Sequence, residues 1–413
     1  MKIDAKTGFL LLVVIFIFFY AFPAAAADIS VPNIEMASRG WVDNNNFVLS
    51  SLLLADLALT GGYKYAFTLG FYLDAPDIGK AFTQRNFKAE TVAPGQGVSE
   101  DDYNALVDRM NNQAYIGFRI AKATARELFG TPLEFSYFLG AADNFCSGED
   151  FTEHFGIPYF GTDFKGFYYF PEGIGGMPAR RYNGIHGIRG SGFSLGYTGL
   201  EKIFPIFYVY MDFPYPQDYI NTANIFGENI YSGDMRVLMH FNWLRLEVFN
   251  GISVNSGKDV SLRGGIMAHI EGNGVEFFTQ IGIPGFTVGE KFSIDNLFFL
   301  FEPRLQLGFF ALHLTFFYRP IEYIHVITPS EKGRANINIK FLFGNAKSGF
   351  CGGIETGGEL KIDGSEDFVL HITPMMSAYS DGLRWDAKIR IKPLEFDTPK
   401  EMIEFFIGVR TAF

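Results

Sequence analysis

The sequence predicts an all-β protein, a transmembrane antiparallel up-and-down β-barrel of about 16 strands. Three observations predict it. Many short segments alternate apolar and polar residues with a period of two. Tight Gly- and Asp-rich turns take turns with much longer connections. No segment after the first 22 residues holds 18 consecutive apolar residues, so a bundle of membrane-crossing helices is excluded.

The chain begins with an export signal. Lys2 and Lys6 give a short positive region, Phe9 to Phe22 is uncharged and apolar, and Pro23 leads into Ala24-Ala25-Ala26-Ala27-Asp28. That order describes a secretory signal peptide over residues 1–27, cleaved near Ala27. The alternative is an uncleaved anchor, which Pro23 and the alanine run disfavour.

Composition supports a barrel wall. The chain is 48% hydrophobic with 47 Phe and 20 Tyr, yet its apolar residues are spread singly rather than gathered in long runs. One strand face meeting lipid and the other meeting a lumen produces that distribution. A net charge of −11 excludes the basic surface that nucleic acid selects. Cys146 and Cys351 are too few and too far apart in sequence to form a disulfide framework.

The alternation can be followed strand by strand. Tyr63, Tyr65, Phe67, Leu69, Phe71 and Leu73 share one face, and Lys64, Ala66, Thr68, Gly70, Tyr72 and Asp74 share the other. Leu383, Trp385, Ala387, Ile389 and Ile391 alternate with Arg384, Asp386, Lys388, Arg390 and Lys392. Ala335, Ile337, Ile339, Phe341 and Phe343 alternate with Arg334, Asn336, Asn338, Lys340 and Leu342. A helix would smear both sets around its axis. Counting back from the end places strands at 401–413, 382–393, 366–379, 348–361, 334–344, 321–328, 304–318, 274–283 and 259–271. Further strands fall at 243–254, 233–242, 203–213, 190–199, 131–140, 112–124 and 62–73. Without the two weakest, 321–328 and 190–199, the count is 14. Residues 61–413 then form the barrel, with long extracellular loops near 74–111 and 141–189. Residues 28–60 are left as a periplasmic N-terminal segment or plug.

The final strand carries a resemblance. Phe413, Thr411, Val409, Ile407, Phe405 and Ile403 alternate with Ala412, Arg410, Gly408, Phe406, Glu404 and Met402. This resembles the C-terminal β-signal of bacterial outer-membrane, porin-like barrels, apart from Thr411, where that family carries a larger residue. The resemblance implies recognition by the barrel-assembly machinery through the strand ending at Phe413. It also implies residence in outer-membrane lipid of a diderm bacterium.

Motifs of catalysis are missing. There is no His-Glu-x-x-His, no Gly-x-Ser-x-Gly and no phosphate-binding glycine loop. His240, His269 and His371 fall on lumen faces at spacings that do not make a metal motif, and Asp363 to Asp367 lacks a full calcium-loop spacing. The reading is a non-enzyme without metal or cofactor. The candidate site is instead the basic inner face of the C-terminal strands, with Arg334, Lys340, Lys361, Arg384, Lys388, Arg390, Lys392 and Arg410 lining a channel. Acidic neighbours Glu355, Glu359, Asp367, Asp386 and Glu404 point the same way, so the same face also reads as a salt-bridge lattice stiffening the wall. A second candidate is the aromatic stretch from Phe145 to Arg189, read as a constriction loop through Phe164, Tyr168, Tyr169, Arg180 and Arg181. A surface hairpin touching a neighbouring barrel in a homo-oligomer is its alternative. The expected function is passive diffusion of small polar or charged solutes. Lumen-facing Tyr208, Tyr210, Phe278 and Phe406 support the alternative of a transporter for long-chain fatty acids. A non-transporting surface-displayed barrel, an adhesin or structural protein, is a third reading.

Overall fold

The protein was analysed as a computed structural model. It describes residues 28–43, 46–75, 77–79, 114–162, 184–212, 230–255, 259–319, 334–344, 349–361, 368–380, 382–395, 399 and 402–411. Its strands are β1 (Asp28–Asp43), β2 (Asn46–Gly61), β3 (Tyr65–Ala75), β4 (Tyr115–Arg126), β5 (Leu133–Phe145), β6 (His186–Tyr197), β7 (Ile203–Asp212), β8 (Ile230–His240) and β9 (Leu244–Val254). They continue as β10 (Val260–Gly272), β11 (Val275–Thr287), β12 (Phe298–Leu307), β13 (Phe310–Arg319), β14 (Arg334–Gly344), β15 (Phe350–Lys361), β16 (Phe368–Ser380), β17 (Leu383–Ile391) and β18 (Ile403–Thr411). Each pairs antiparallel with its neighbours in sequence, and β1 pairs with β18, so the 18-stranded sheet closes on itself.

The all-β closed antiparallel wall is as expected, but the count is 18 and not 16. The two additional strands are β1 and β2, from the 28–60 stretch that the sequence reading sets outside the wall. Their signal is weak for physical reasons. In β2 the run Leu52-Leu53-Leu54 puts apolar side chains on both faces, which erases the period of two. In β1, Pro32 lies within a register shift between Ser30 and Asn33, and Pro demotes a strand read from sequence.

A second correction concerns 304–318. That stretch is not one strand: it turns at Gly308, whose φ is +60, and belongs to β12 and β13. The turn Leu307-Gly308-Phe309-Phe310 has none of the Asp or Asn found in Glu271-Gly272-Asn273-Gly274 and Ser380-Asp381-Gly382. The strand expected at 321–328 lies outside the described residues, as do the signal peptide and Phe413.

Alternation decides which side chains face in. Ile337, Phe343, Phe368, Met376, Trp385, Ile389, Ile403 and Ile407 are exposed on the outside, while Asn336, Asn338, Lys340, His371, Thr373, Asp386, Phe406 and Arg410 are buried inside. Connections 62–64, 127–132, 198–202, 241–243, 273–274 and 308–309 lie at one end, where β14 also ends and β15 begins, and β16 ends and β17 begins. The long ones, 76–114, 146–185, 213–229, 320–333 and 392–402, join strands at the other.

The β1–β18 seam has a direct test. Ser38 lies opposite Ile407, and directly opposed residues of an antiparallel pair come within disulfide reach. In a background of Cys146→Ala and Cys351→Ala, Ser38→Cys with Ile407→Cys should cross-link on mild oxidation and change the mobility of the denatured chain. A 16-stranded wall with 28–60 detached would give no cross-link.

Candidate functional site

The inside of the barrel has two unlike halves. From β4 to β12 the inward positions carry charged and aromatic residues that receive a folded-in segment, 146–162. From β13 through β18 to β1 they carry mainly polar and charged residues, with Phe317 and Phe406 among them.

The segment leaves β5 at Phe145 and returns at Ile185, whose backbone N–H donates to the Phe145 carbonyl (2.9 Å), so both ends are pinned together. Two glycines allow this path. At Gly148 and Gly184 φ is +82 and +87, and a Cβ would lie 2.2 Å from the carbonyl oxygens of Phe160 and Phe145. Between them a short helix, α1 (Asp150–Phe155), ends at Gly156 with φ +66.

Charged wall residues then seize the segment. Arg236 and Glu247 are both wholly buried and pair at 2.6 Å. Glu247 also accepts from the Cys146 backbone N–H (2.6 Å), Arg236 also donates to Asp150, and the guanidinium lies 4.9 Å over the Phe145 ring. The Gln280 side-chain amide donates to the Cys146 carbonyl. Arg126 bridges Glu134 (2.8 Å) and Glu153 (3.3 Å). Further round, Thr162 donates to Glu302 (2.6 Å), while Arg304 bonds Glu302 (2.8 Å) and the Gly161 carbonyl.

Aromatic contacts fill the space between. Phe151 packs on Phe155 and Phe160, with centroids 5.6 and 5.0 Å apart. Phe160 stacks on His269 at 4.7 Å and 13°, and His154 lies on Phe204 at 4.0 Å. Buried charges cost several kcal/mol unless paired and hydrogen-bonded. Here the buried carboxylates Glu247 and Glu302 each have both an arginine and a donor from the segment, so the segment is part of the wall.

The predicted residues divide accordingly. Phe164, Tyr168, Tyr169, Arg180 and Arg181 lie outside the described residues, although the same excursion does enter the lumen through 146–162. On the open half, Arg384 pairs with Asp386 (3.3 Å), Arg390 with Glu404 (3.9 Å), and Lys392 with Glu404 (3.1 Å) and Glu395 (3.5 Å). Lys388 sits 5.2 Å over the Phe406 ring, and Lys340 lies across from Glu355. Arg410 faces in beside Arg384 and Glu35. Arg334 and Lys361 are opposed in register at the long-loop end, and their side chains are outside the described set. Tyr208, Tyr210, Phe278 and Phe406 are buried inside, as expected.

Sequence reasoning missed Arg236, Glu247, Glu302 and Arg304. Each stands at an inward position between outward apolar neighbours, as in Leu246-Glu247-Val248, so applying the same alternation to β8, β9 and β12 would have found them.

The sequence matches no family model and no curated protein. Acinetobacter baumannii OccAB2 superposes with TM-score 0.50 over 93% of this chain and 97% of that one, at 11% identity. The chain has the porin fold. Pseudomonas aeruginosa OpdK, solved with vanillate, gives 0.47 over 93% and 98% at 8% identity. A Rhodopseudomonas blastica porin mutant gives 0.43 over 94% and 100%, also at 8%. In this porin-type barrel the inserted segment narrows the lumen from one side, leaving the basic-and-acidic wall of β14–β18 opposite.

Removing the central clamp should release the segment. Arg236→Ala leaves Glu247 buried without its cation, a loss of about 3–5 kcal/mol. Hydrogen exchange of residues 146–156 should accelerate by two or more orders of magnitude while β14–β18 stay protected. Unchanged exchange would show that the clamp does not hold the segment. Acid should act through His154. Burial on Phe204 lowers its pKa to about 4, against the opposing pull of Glu153. A seated neutral imidazole and a released one of ordinary pKa near 6.5 mean that seating is strongest above pH 6.5 and weakens down to pH 4. Asp150 in the same helix, pushed up to about 7 by burial, opposes this over the same range, so the His154 contribution is read as a difference: protection of α1, corrected for intrinsic exchange, should fall relative to His154→Phe as the pH drops from 6.5 to 4.

Proposed function

We propose that this chain is an outer-membrane channel for passive diffusion of small polar or charged solutes, with a preference for anions. The observation that carries the reading is the opposite character of the two wall faces. Outside, the strands are apolar and both rims carry exposed aromatics. At the short-turn rim stand Tyr63, Phe129, Tyr197, Trp243, Phe309, Phe350 and Tyr379, and Phe129 is 93% exposed. Towards the other rim stand Phe47, Phe118, Tyr231, Phe292 and Phe368. Rings amphipathic enough for the headgroup level flank an apolar band in this way in membrane barrels. Eleven residues at about 3.3 Å each, tilted by about 40°, give roughly 27 Å, the height of such a band. Inside, β14–β18 are polar, and walls of 16 to 18 strands enclose an aqueous path.

The remaining assignments follow from this reading. Residues 1–27 are a signal peptide cleaved near Ala27, the short turns face the periplasm, and the connections near 74–111 and 141–189 face the exterior. The strand ending at Phe413 engages the assembly machinery. On β14–β18 Lys340, Arg384, Lys388, Arg390, Lys392 and Arg410 outnumber Glu355, Glu359, Asp386 and Glu404, and charges lining a pore set its ion selectivity.

Purified protein in a planar lipid bilayer should give stepwise conductance, with a reversal potential in a KCl gradient that shows chloride preferred. Lys340→Gln with Lys388→Gln should move that potential towards potassium. A bilayer without steps, together with uptake of a labelled fatty acid, would replace this reading by the transporter; silence in both leaves surface display. A wild-type reversal potential favouring potassium would overturn the anion preference alone.

A further inference from the structure

Among the described strand interiors, the outer face of the wall carries one polar side chain that nothing in the wall satisfies. Asn250 lies on β9 between the outward residues Val248 and Ile252, opposite Met235 on β8 and Gly264 on β10. Its side chain is exposed, and no described residue bonds its amide. It stands six residues past Leu244, where β9 begins. At about 3.3 Å per residue and a tilt of about 40°, that is roughly 15 Å from the short-turn end, near the middle of the apolar band. A side chain as short as Asn reaches neither headgroup level from there.

Outward hydroxyls elsewhere on the strands are closed within the barrel. Ser38 bonds Ser51 across the β1–β2 pair (2.6 Å), and Tyr137 bonds Ser191 across β5–β6 (3.0 Å). Thr279 donates to the Leu300 carbonyl (3.0 Å) and Thr356 to the His371 carbonyl (3.2 Å). Hydrocarbon therefore meets no open hydroxyl at these positions. Asn250 departs from this pattern, and an amide without a partner in hydrocarbon is costly. Lipid chains offer it no donor or acceptor at that depth, so its partner is another protein surface.

The surface around Asn250 suits close approach. Gly233 on β8 and Gly264 on β10 flank it without side chains, while Met235, Ile252, Leu262 and Ile266 around them are exposed. Small residues let membrane-embedded backbones come together, and side-chain amides then bond across the contact. An amide carries both a donor and an acceptor, so it is its own complement. Two copies in one membrane share an orientation, and a two-fold axis along the membrane normal sets residue 250 against itself at equal depth.

We propose that β8–β10 form a docking face for a second copy of this chain, centred on an amide pair between Asn250 and the partner's Asn250. The proposal rests on the reading of the outer face as lipid-facing, and its test separates it from the channel.

The probe is the full chain itself. In a background of Cys146→Ala and Cys351→Ala, Asn250→Cys in lipid vesicles should form a disulfide-linked pair on mild oxidation. Ile407→Cys, exposed on β18 half-way round the wall, measures random collision and should link more slowly by about tenfold or more. In sedimentation of detergent micelles, Asn250→Leu should raise the dissociation constant of the pair by about tenfold, the effect of losing one or two hydrogen bonds between embedded partners. Gly233→Leu should do the same by holding the copies apart. A Cβ there meets only the Tyr208 carbonyl oxygen at 3.8 Å, an ordinary contact, so the wall accepts it. Asn250→Leu should keep the heat-dependent shift on a detergent gel, because the amide supports nothing within its own barrel. Loss of that shift would give Asn250 a role inside the barrel and overturn the proposal. A wild-type chain that stays monomeric, variants that associate like the wild type, or Asn250→Cys linking no faster than Ile407→Cys would overturn it as well. Conductance steps from a monomer leave the channel and remove the docking face. A variant-sensitive pair without conductance leaves the docking face and removes the channel.

Discussion

Every strand in this protein depends on closure of the sheet. An open sheet exposes a row of unpaired N–H and C=O groups at each edge, and in an apolar surrounding each unpaired group costs several kcal/mol. The pairing of β1 with β18 removes both edges at once. Closure also sorts the side chains: once the wall is a cylinder, each alternate residue is committed to one of two environments, and a slip of one residue would exchange them. The apolar outside and the charged inside are therefore consequences of one topological fact.

Closure leaves a lumen too wide for the wall's own side chains to fill, and the 146–162 segment addresses this on one side. It is held by polar bonds at Glu247, Arg236, Gln280, Arg304 and Glu302, with Phe145, Phe151 and Phe160 packed between them. The rings exclude water, which strengthens the ion pairs, and the ion pairs fix where the rings lie. A segment tied by backbone groups as well as side chains has few alternative seatings. The inserted half of the lumen thus acts as rigid wall, and the variation available to solutes lies on the opposite half.

The fold was legible wherever one strand face was purely apolar and the other polar, as on β14, β16, β17 and β18. It was illegible where that contrast fails. Leu52 and Leu54 point inward on β2, beside Tyr72 on β3, so an apolar inner patch made a wall strand look like a plug. The Gly308–Phe309 turn was hidden because its glycine stands among apolar residues, without the Asn or Asp that accompanies glycine in Gly272-Asn273-Gly274 and Asp381-Gly382. The basic inner face could be read because its residues lie on consecutive strands. The clamps on the inserted segment could not, because Arg236 and Asp150, or Glu302 and Thr162, meet only after the chain has closed a barrel.

The same logic explains why the two halves of the lumen carry different pairings. On β8–β12 the buried arginines Arg236 and Arg304 each have a carboxylate and also a group from the segment, while Arg263 is held by Asp234, Ser253 and Tyr210 of the wall. On β14–β18 the pairs are looser, 3.1 to 3.9 Å, and arranged along the wall: Arg384 with Asp386, Lys392 with Glu404, Arg390 with Glu404. Pairs of that kind contribute little to stability. On the proposed channel reading, a cation such as Arg390 or Lys392 could turn towards an anion at small cost, because Glu404 would keep the other as its neighbour. Tight pairs thus hold the narrowing in place, and loose pairs give the remaining path its charge.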